Sequence, residues 1–181
     1  MWSWKGKNRN LGSIEIGGSM KARDLMIPLQ EYLKPDNTLK EAARLLRIAQ
    51  RGEEKIGVKA LPVLDPSGKL IGILSIGDIL KAVHPAYMDL MNLGSFAWDG
   101  MVETFAQKAG GKMVKELMTP KVITVKDDST LMECVDHMLK NKVKRVPVLN
   151  KENKVTGMLY ERDVFYEITK AMLDENTGGG R

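Results

Sequence analysis

The chain repeats itself, and this limits its fold more than any other feature, because a duplicated unit should fold the same way twice. Residues 23–28, RDLMIP, match 115–120, KELMTP, at an offset of 92, and Thr38-Leu39-Lys40-Glu41 matches Thr130-Leu131-Met132-Glu133 at the same offset. Further on the offset falls to 85: Leu61-Pro62-Val63-Leu64 meets Val146-Pro147-Val148-Leu149, and GILSIGD at 72–78 meets GMLYERD at 157–163. The first copy therefore carries seven additional residues, somewhere within 47–60.

Both copies carry the same local signals. Thr-x-x-Glu is a capping box and predicts helix starts at Thr38 and Thr130. Leu39, Ala42, Ala43, Leu46 and Ala49, and then Leu131, Cys134, Val135, Met138 and Leu139, keep helical spacing, so one face of each helix is core. Two short apolar runs joined by a turn follow, LPVLD-PSG-KLIGILS and VPVLN-KEN-KVTGMLY, and read as hairpins. From Asp78 and Asp163 the pattern returns to helix, with Ile79, Leu80 and Val83 in one copy and Val164, Ile168 and Met172 in the other. The expectation is an α+β fold of two β-α-β-β-α repeats, at 20–84 and 112–173. The connector at 85–111 holds Met88, Met91, Leu93, Phe96, Trp98, Met101, Val102 and Phe105, which predicts helix packed on a partner surface and ended by Gly110-Gly111. Residues 1–19 read as an N-terminal arm or a cloning remnant, and 174–181 as a tail.

Composition removes several classes of function. With 43% apolar and 28% charged residues, the 181-residue chain is neither disordered nor fibrous. Its longest apolar stretch, Leu70 to Val83, is interrupted by Ser75, Asp78 and Lys81, too short for a membrane span. No secretory apolar region opens the sequence, so a cytoplasmic location is the expectation. The single cysteine, Cys134, excludes an internal disulfide and a multi-cysteine zinc site. The net charge of +5 is spread out. Only Lys140, Lys142, Lys144 and Arg145 are dense, without interleaved aromatics, which argues against nucleic acid as the main partner. His84, His137 and Cys134 sit at structural positions and no phosphate-loop motif occurs, so no catalytic residue, metal site or catalytic cofactor is expected and the chain reads as a non-enzyme.

The chemistry concentrates in GILSIGD, where a strand runs into a helix and leaves amide N–H groups unpaired at the helix start. Such an end attracts phosphate. Ser75 adds a hydroxyl, Gly77 has no side chain to block a ligand, and the Asp78 carboxylate suits the paired hydroxyls of a ribose. Ser75 and Asp78 are equally the residue types that cap helices, and on the residues alone both readings stand.

The LMxP opening, the Thr-x-x-Glu helix start, the hydrophobic-Pro-Val strand and the Gly-h-h-x-x-x-Asp run, in the same order twice, resemble the cystathionine-β-synthase (CBS) domain family, and their tandem a CBS pair, or Bateman module, over roughly residues 20–173. The resemblance implies pseudo-twofold packing of the two sheets and clefts between the repeats. It further implies an adenosine-containing ligand such as AMP, ADP, ATP or S-adenosylmethionine, bound as a regulatory ligand, and association as a homodimer. A first site would then comprise Ile73, Ser75, Gly77 and Asp78 with Lys59 and Ala60, completed from the other repeat by Thr119, Ile123 and Lys144. A second would comprise Met158, Tyr160, Arg162 and Asp163 with Lys144 and Arg145. There Tyr160 replaces the small hydroxyl residue, free to stack on a base or to fill the cleft, and Arg145, Arg162 and Lys144 would contact phosphates or form an ordinary solvated basic face. The module would signal to a regulated protein partner; the rival reading is a ligand-free homodimerisation scaffold.

Overall fold

The computed structural model describes residues 20–49, 57–84 and 100–173. The first repeat runs α1 (Ala22–Leu25), β1 (Ile27–Pro28), α2 (Leu39–Ile48), β2 (Ala60–Leu64), β3 (Leu70–Ser75) and α3 (Ile76–Val83). After α4 (Met101–Gly110), the second runs α5 (Val114–Leu117), β4 (Val125–Lys126), α6 (Leu131–Lys140), β5 (Arg145–Leu149), β6 (Val155–Tyr160) and α7 (Glu161–Met172).

Both expected helix starts are present. The Thr38 amide donates to the Glu41 carboxylate at 2.7 Å and the Glu41 amide to Thr38 Oγ1 at 3.2 Å; Thr130 and Glu133 repeat the exchange at 2.6 and 3.3 Å. The Thr38 backbone N–H, helped by the Asn37 side chain, holds the Glu41 carboxyl below its usual range. This cap is therefore at full strength at neutral pH and is lost as pH falls through that lowered value. The hairpin loops also match. Asp65 Oδ1 accepts from the Ser67 and Lys69 amides, each at 2.9 Å, and Asn150 Oδ1 accepts from those of Glu152 and Lys154 at 3.0 and 2.9 Å. The seven additional residues are also narrowed down: the Val58 amide donates to Leu46 O as that of Val143 does to Met138 O, which confines the insertion to 47–57, of which 50–56 lie outside the described residues.

The opening segments are exchanged between the repeats. β1 pairs with β6 of the second repeat, Ile27 opposite Met158, while Thr119 bridges back to Ile73 on β3. The four-stranded sheet is thus ordered β1-β6-β5-β4, and β2-β3 forms the other. Each repeat's own first strand comes after the crossing: Leu33 lies parallel to Val63, as Val125 lies parallel to Val148. Several cross-repeat contacts have reciprocals: Lys21 bridges Thr130 as Met113 bridges Thr38, and the Ala22 amide reaches Ser129 O as the Val114 amide reaches Asn37 O, both at 2.8 Å. This is the signature of a twofold relation between unlike halves.

Two cores result, and each contains a residue from the other repeat. Leu33, Val63 and Leu74 pack with Val114; Val146, Val148 and Leu159 pack with Ala22. Three residues expected on apolar faces are instead exposed, Leu80 at 63%, Leu139 at 71% and Met172 at 72%. Leu80 and Leu139 stand one residue round their helices from the half-buried Ile79 and the buried Met138, and Met172 ends α7, so all three fall outside the stripe a helix buries. The helix expected in the connector is present as α4, which packs on α2 and α3 of its own chain and buries Ala109 in the first core. Met88 to Trp98 lie outside the described residues.

Candidate functional site

At the β3–α3 junction Ser75 is the N-cap of α3. Asp78 Oδ2 accepts from the Ser75 amide at 2.8 Å and from the Ser75 hydroxyl at 2.7 Å, while the Asp78 amide approaches Ser75 Oγ at 3.3 Å. The capping role left open by the sequence is therefore real. It occupies one carboxylate oxygen: Oδ1 takes no hydrogen bond from any described residue. A Cβ placed on Gly77 would meet nothing nearer than Ser75 Oγ at 3.5 Å, so this glycine leaves the first turn of α3 uncovered. The Lys59 carbonyl accepts from the Ile76 amide at 3.0 Å, which fixes the start of β2 beside the helix end; the Lys59 side chain is exposed.

The second junction has the same backbone and different side chains. The Lys144 carbonyl accepts from the Glu161 amide at 3.0 Å, and the N-cap, Tyr160, supplies no side-chain cap. Arg162 turns along α7, donating to Tyr166 Oη at 2.9 Å with its guanidinium 5.3 Å from that ring's centre. Asp163 stands in the first turn of α7, as Asp78 does in α3.

The exchanged opening segment of the first repeat forms one wall of a cleft. After leaving β6, residues 29–31 cross toward Leu33 beside β2. This crossing, together with Val58, Ala60 and Pro62 on one side and Met158 and Tyr160 on the other, lines a cleft of about 320 Å³ counted to its open mouth. Two of the expected second-site residues, Met158 and Tyr160, are brought together here. Ala60, grouped in sequence with Ser75, is its partner across the β2–β3 hairpin and also lines this cleft. Gln30, Glu31 and Val58 line the same cleft and were missed by sequence reasoning. The signal existed: the offset of 92 maps Thr119 to Ile123 onto Ile27 to Glu31. On the other side of the molecule Thr119 reaches Ile73 as expected, through paired backbone bonds of 2.9 and 3.1 Å.

Among the described residues no three His, Cys, Asp or Glu side chains gather as metal ligands, and no helix is long and apolar enough to cross a membrane. Burial pushes the Cys134 thiol up to about 11, so it is protonated at neutral pH and packs as a small apolar group.

The CBS domain profile matches residues 22–85 and 114–170. The chain is 31% identical over 169 residues to the uncharacterized protein MJ1426 of Methanocaldococcus jannaschii, covering 85% of this chain and 95% of that one. It is 30% identical over 166 residues to the chloroplastic CBS domain-containing protein CBSX2 of Arabidopsis thaliana, covering 87% and 67%. The inosine-5'-monophosphate dehydrogenase of Methanocaldococcus jannaschii matches at 27% identity, but the chain spans only 24% of that enzyme. The crystal structure of CBSX2 in complex with AMP superposes with a TM-score of 0.60 at 27% identity, over 83% of this chain and 97% of that one. The two repeats, with their exchanged openings and paired strand-to-helix junctions, are thus CBS domains, and the chain belongs to the CBS domain family as a tandem pair.

Proposed function

We propose that this chain is a regulatory module that binds an adenosine-containing ligand in the cleft between its CBS domains and passes occupancy to a protein partner. The observation that carries this is the β3–α3 junction, where one oxygen of Asp78 closes the helix cap and the other stays available to a ribose hydroxyl beside uncovered helix amides. The AMP held by the CBSX2 structure supports the ligand class. The dehydrogenase similarity brings no catalytic activity with it, since most of that enzyme lies beyond the match. Coupling follows if the ligand binds one arrangement of the two domains better than another, since only differential affinity shifts a population.

Calorimetric titration of the ligand-free protein with AMP, ADP, ATP and S-adenosylmethionine is expected to yield a dissociation constant for at least one. Asp78→Ala is expected to weaken it about 10- to 100-fold, the range for a hydrogen bond to a charged group. Ser75→Ala, which loosens the cap but keeps the carboxylate, separates binding from folding. Four flat titrations overturn the proposal.

A second reading, the homodimerisation scaffold, is favoured by apolar groups left exposed on α7, Phe165 at 58%, Met172 at 72% and Leu173 just beyond it at 65%. Light scattering is expected to give twice the chain mass, reduced toward the monomer by Phe165→Glu. A dimer that forms equally with and without ligand, in protein whose titrations are flat, would favour scaffolding alone.

A further inference from the structure

We infer that residues 1–19 dock on the outer face of α6 and α7, where Met132 stands exposed, and so cover the second repeat as α4 covers the first. The occupant is a segment of this chain, and the inference does not depend on any ligand.

Each repeat is preceded by a stretch of chain that arrives at the same point. The Leu39 amide at the start of α2 donates to Lys112 O at 2.8 Å, and the Leu131 amide at the start of α6 donates to Met20 O at 2.9 Å. Just before Lys112 the chain forms α4, which packs on α2 and α3 and buries Ala109 in the first core. A Cβ on Gly110 would stand 3.9 Å from Lys40 Cβ. At the offset of 92, Gly18 is the counterpart of Gly110 and Met132 that of Lys40. Among the described residues no helix lies across α6 and α7 as α4 lies across α2 and α3, and Met132 is 74% exposed. Residues 1–19, outside the described residues, end where that uncovered face begins. An extended chain advances about 3.3 Å per residue and a helix the length of α6 is about 15 Å long, so this stretch reaches across the face with length to spare.

Charge selects the same pairing. α2 and α3 carry Lys40, Arg44, Arg47 and Lys81 against two carboxylates, and the stretch that closes with α4, 85–111, is acidic, with Asp89, Asp99 and Glu103 against Lys108. The second repeat reverses both signs. α6 and α7 carry five carboxylates, Asp136 and Glu167 among them, against three cations, whereas residues 1–19 carry Lys5, Lys7 and Arg9 against Glu15. Opposite charge draws such a segment to its face, and Trp2, Trp4, Leu11, Ile14 and Ile16 bring apolar groups to Met132. Leu80 stays 63% exposed although α4 packs on its helix, so its counterpart Phe165 lies outside the docked surface and remains open to a second copy.

The test reads Trp2 and Trp4, the tryptophans that remain once Trp98→Phe is made in the full chain. Acrylamide quenching of their fluorescence is compared with that of a synthetic peptide of residues 1–19. The expected result is quenching about threefold weaker in the protein, unchanged on dilution, and moving toward the peptide value at high salt. Met132→Ser and Asp136→Lys should each raise the quenching about twofold, while Ile48→Ser, at an equally exposed site on the first repeat, leaves it unchanged. All three side chains are exposed, and cooperative melting of each variant confirms that the fold is kept. Quenching as strong as in the peptide overturns the inference, and so does shielding that neither Met132→Ser nor Asp136→Lys alters, which would put the segment elsewhere. Shielding lost on dilution assigns the face to a second copy and overturns it as well. None of these outcomes touches the nucleotide reading, which stands or falls with the titrations above.

Discussion

Leu159→Ala is expected to destabilise the protein by about 3 kcal/mol, within the range for emptying a fully buried leucine site. In a chain of this size that lowers the melting midpoint by roughly 6–12 °C. Leu159 is fully buried and packs with Val146, Val148 and Val164. Its counterpart Leu74 is equally buried, among Leu33, Val63 and Val114, so Leu74→Ala should cost a similar amount. The more telling expectation concerns the shape of the transition. Because Ala22 belongs to the second core and Val114 to the first, neither core is complete without the other repeat. Each variant should therefore shift a single cooperative transition, measured by calorimetry with matching calorimetric and van't Hoff enthalpies. Two resolved transitions, each moved by only one of the variants, would show that the repeats unfold independently.

The second large effect is expected at Gly157, where strand β6 receives the opening segment of the first repeat. A Cβ there would lie 2.6 Å from the Ile27 carbonyl oxygen and 2.7 Å from Met26 Sδ. The first of these is backbone and cannot rotate away, so Gly157→Ala must push β1 off β6 and open the Ile27–Met158 and Pro28–Gly157 pairs. Overpacking of this kind costs about 3 kcal/mol, the upper end of its usual range. The counterpart Gly72 provides the control. Its Cβ would meet the side chain of Met118, a flexible thioether that can swing aside, so Gly72→Ala should cost about 1 kcal/mol or less. Chemical denaturation of both variants checks this, and equal shifts would show that the strand contact at Gly157 yields as easily as a side chain.

Much of each repeat was legible in the sequence because its signals are local. The Thr38 and Thr130 caps, the hairpin turns at Asp65 and Asn150, and the Ser75–Asp78 junction each depend on residues within four positions of one another. The exchange of the opening segments was legible only in part: the resemblance brought Thr119 to Ile73, but the reciprocal pairing of Ile27 was not read. β1 is two residues long, and nothing in Ile27-Pro28 says that its partner is Met158 rather than a strand of its own repeat. Nor did the sequence reveal that Ala60, the partner of Ser75 across the hairpin, also lines the cleft at Tyr160. The exposure of Leu80 and Leu139 had a related cause: periodicity identifies an apolar stripe, but how much of its width is covered depends on which neighbours arrive.

The reciprocal lending of first segments also sets an order of events for a chain emerging from the ribosome. About 130 residues separate Ile27 from the residue it must lie beside, so the opening segment of the first repeat stays without its strand until most of the second repeat has been made. Contacts of such separation slow folding, and here the closing strand of the second repeat is the one that receives the opening strand of the first.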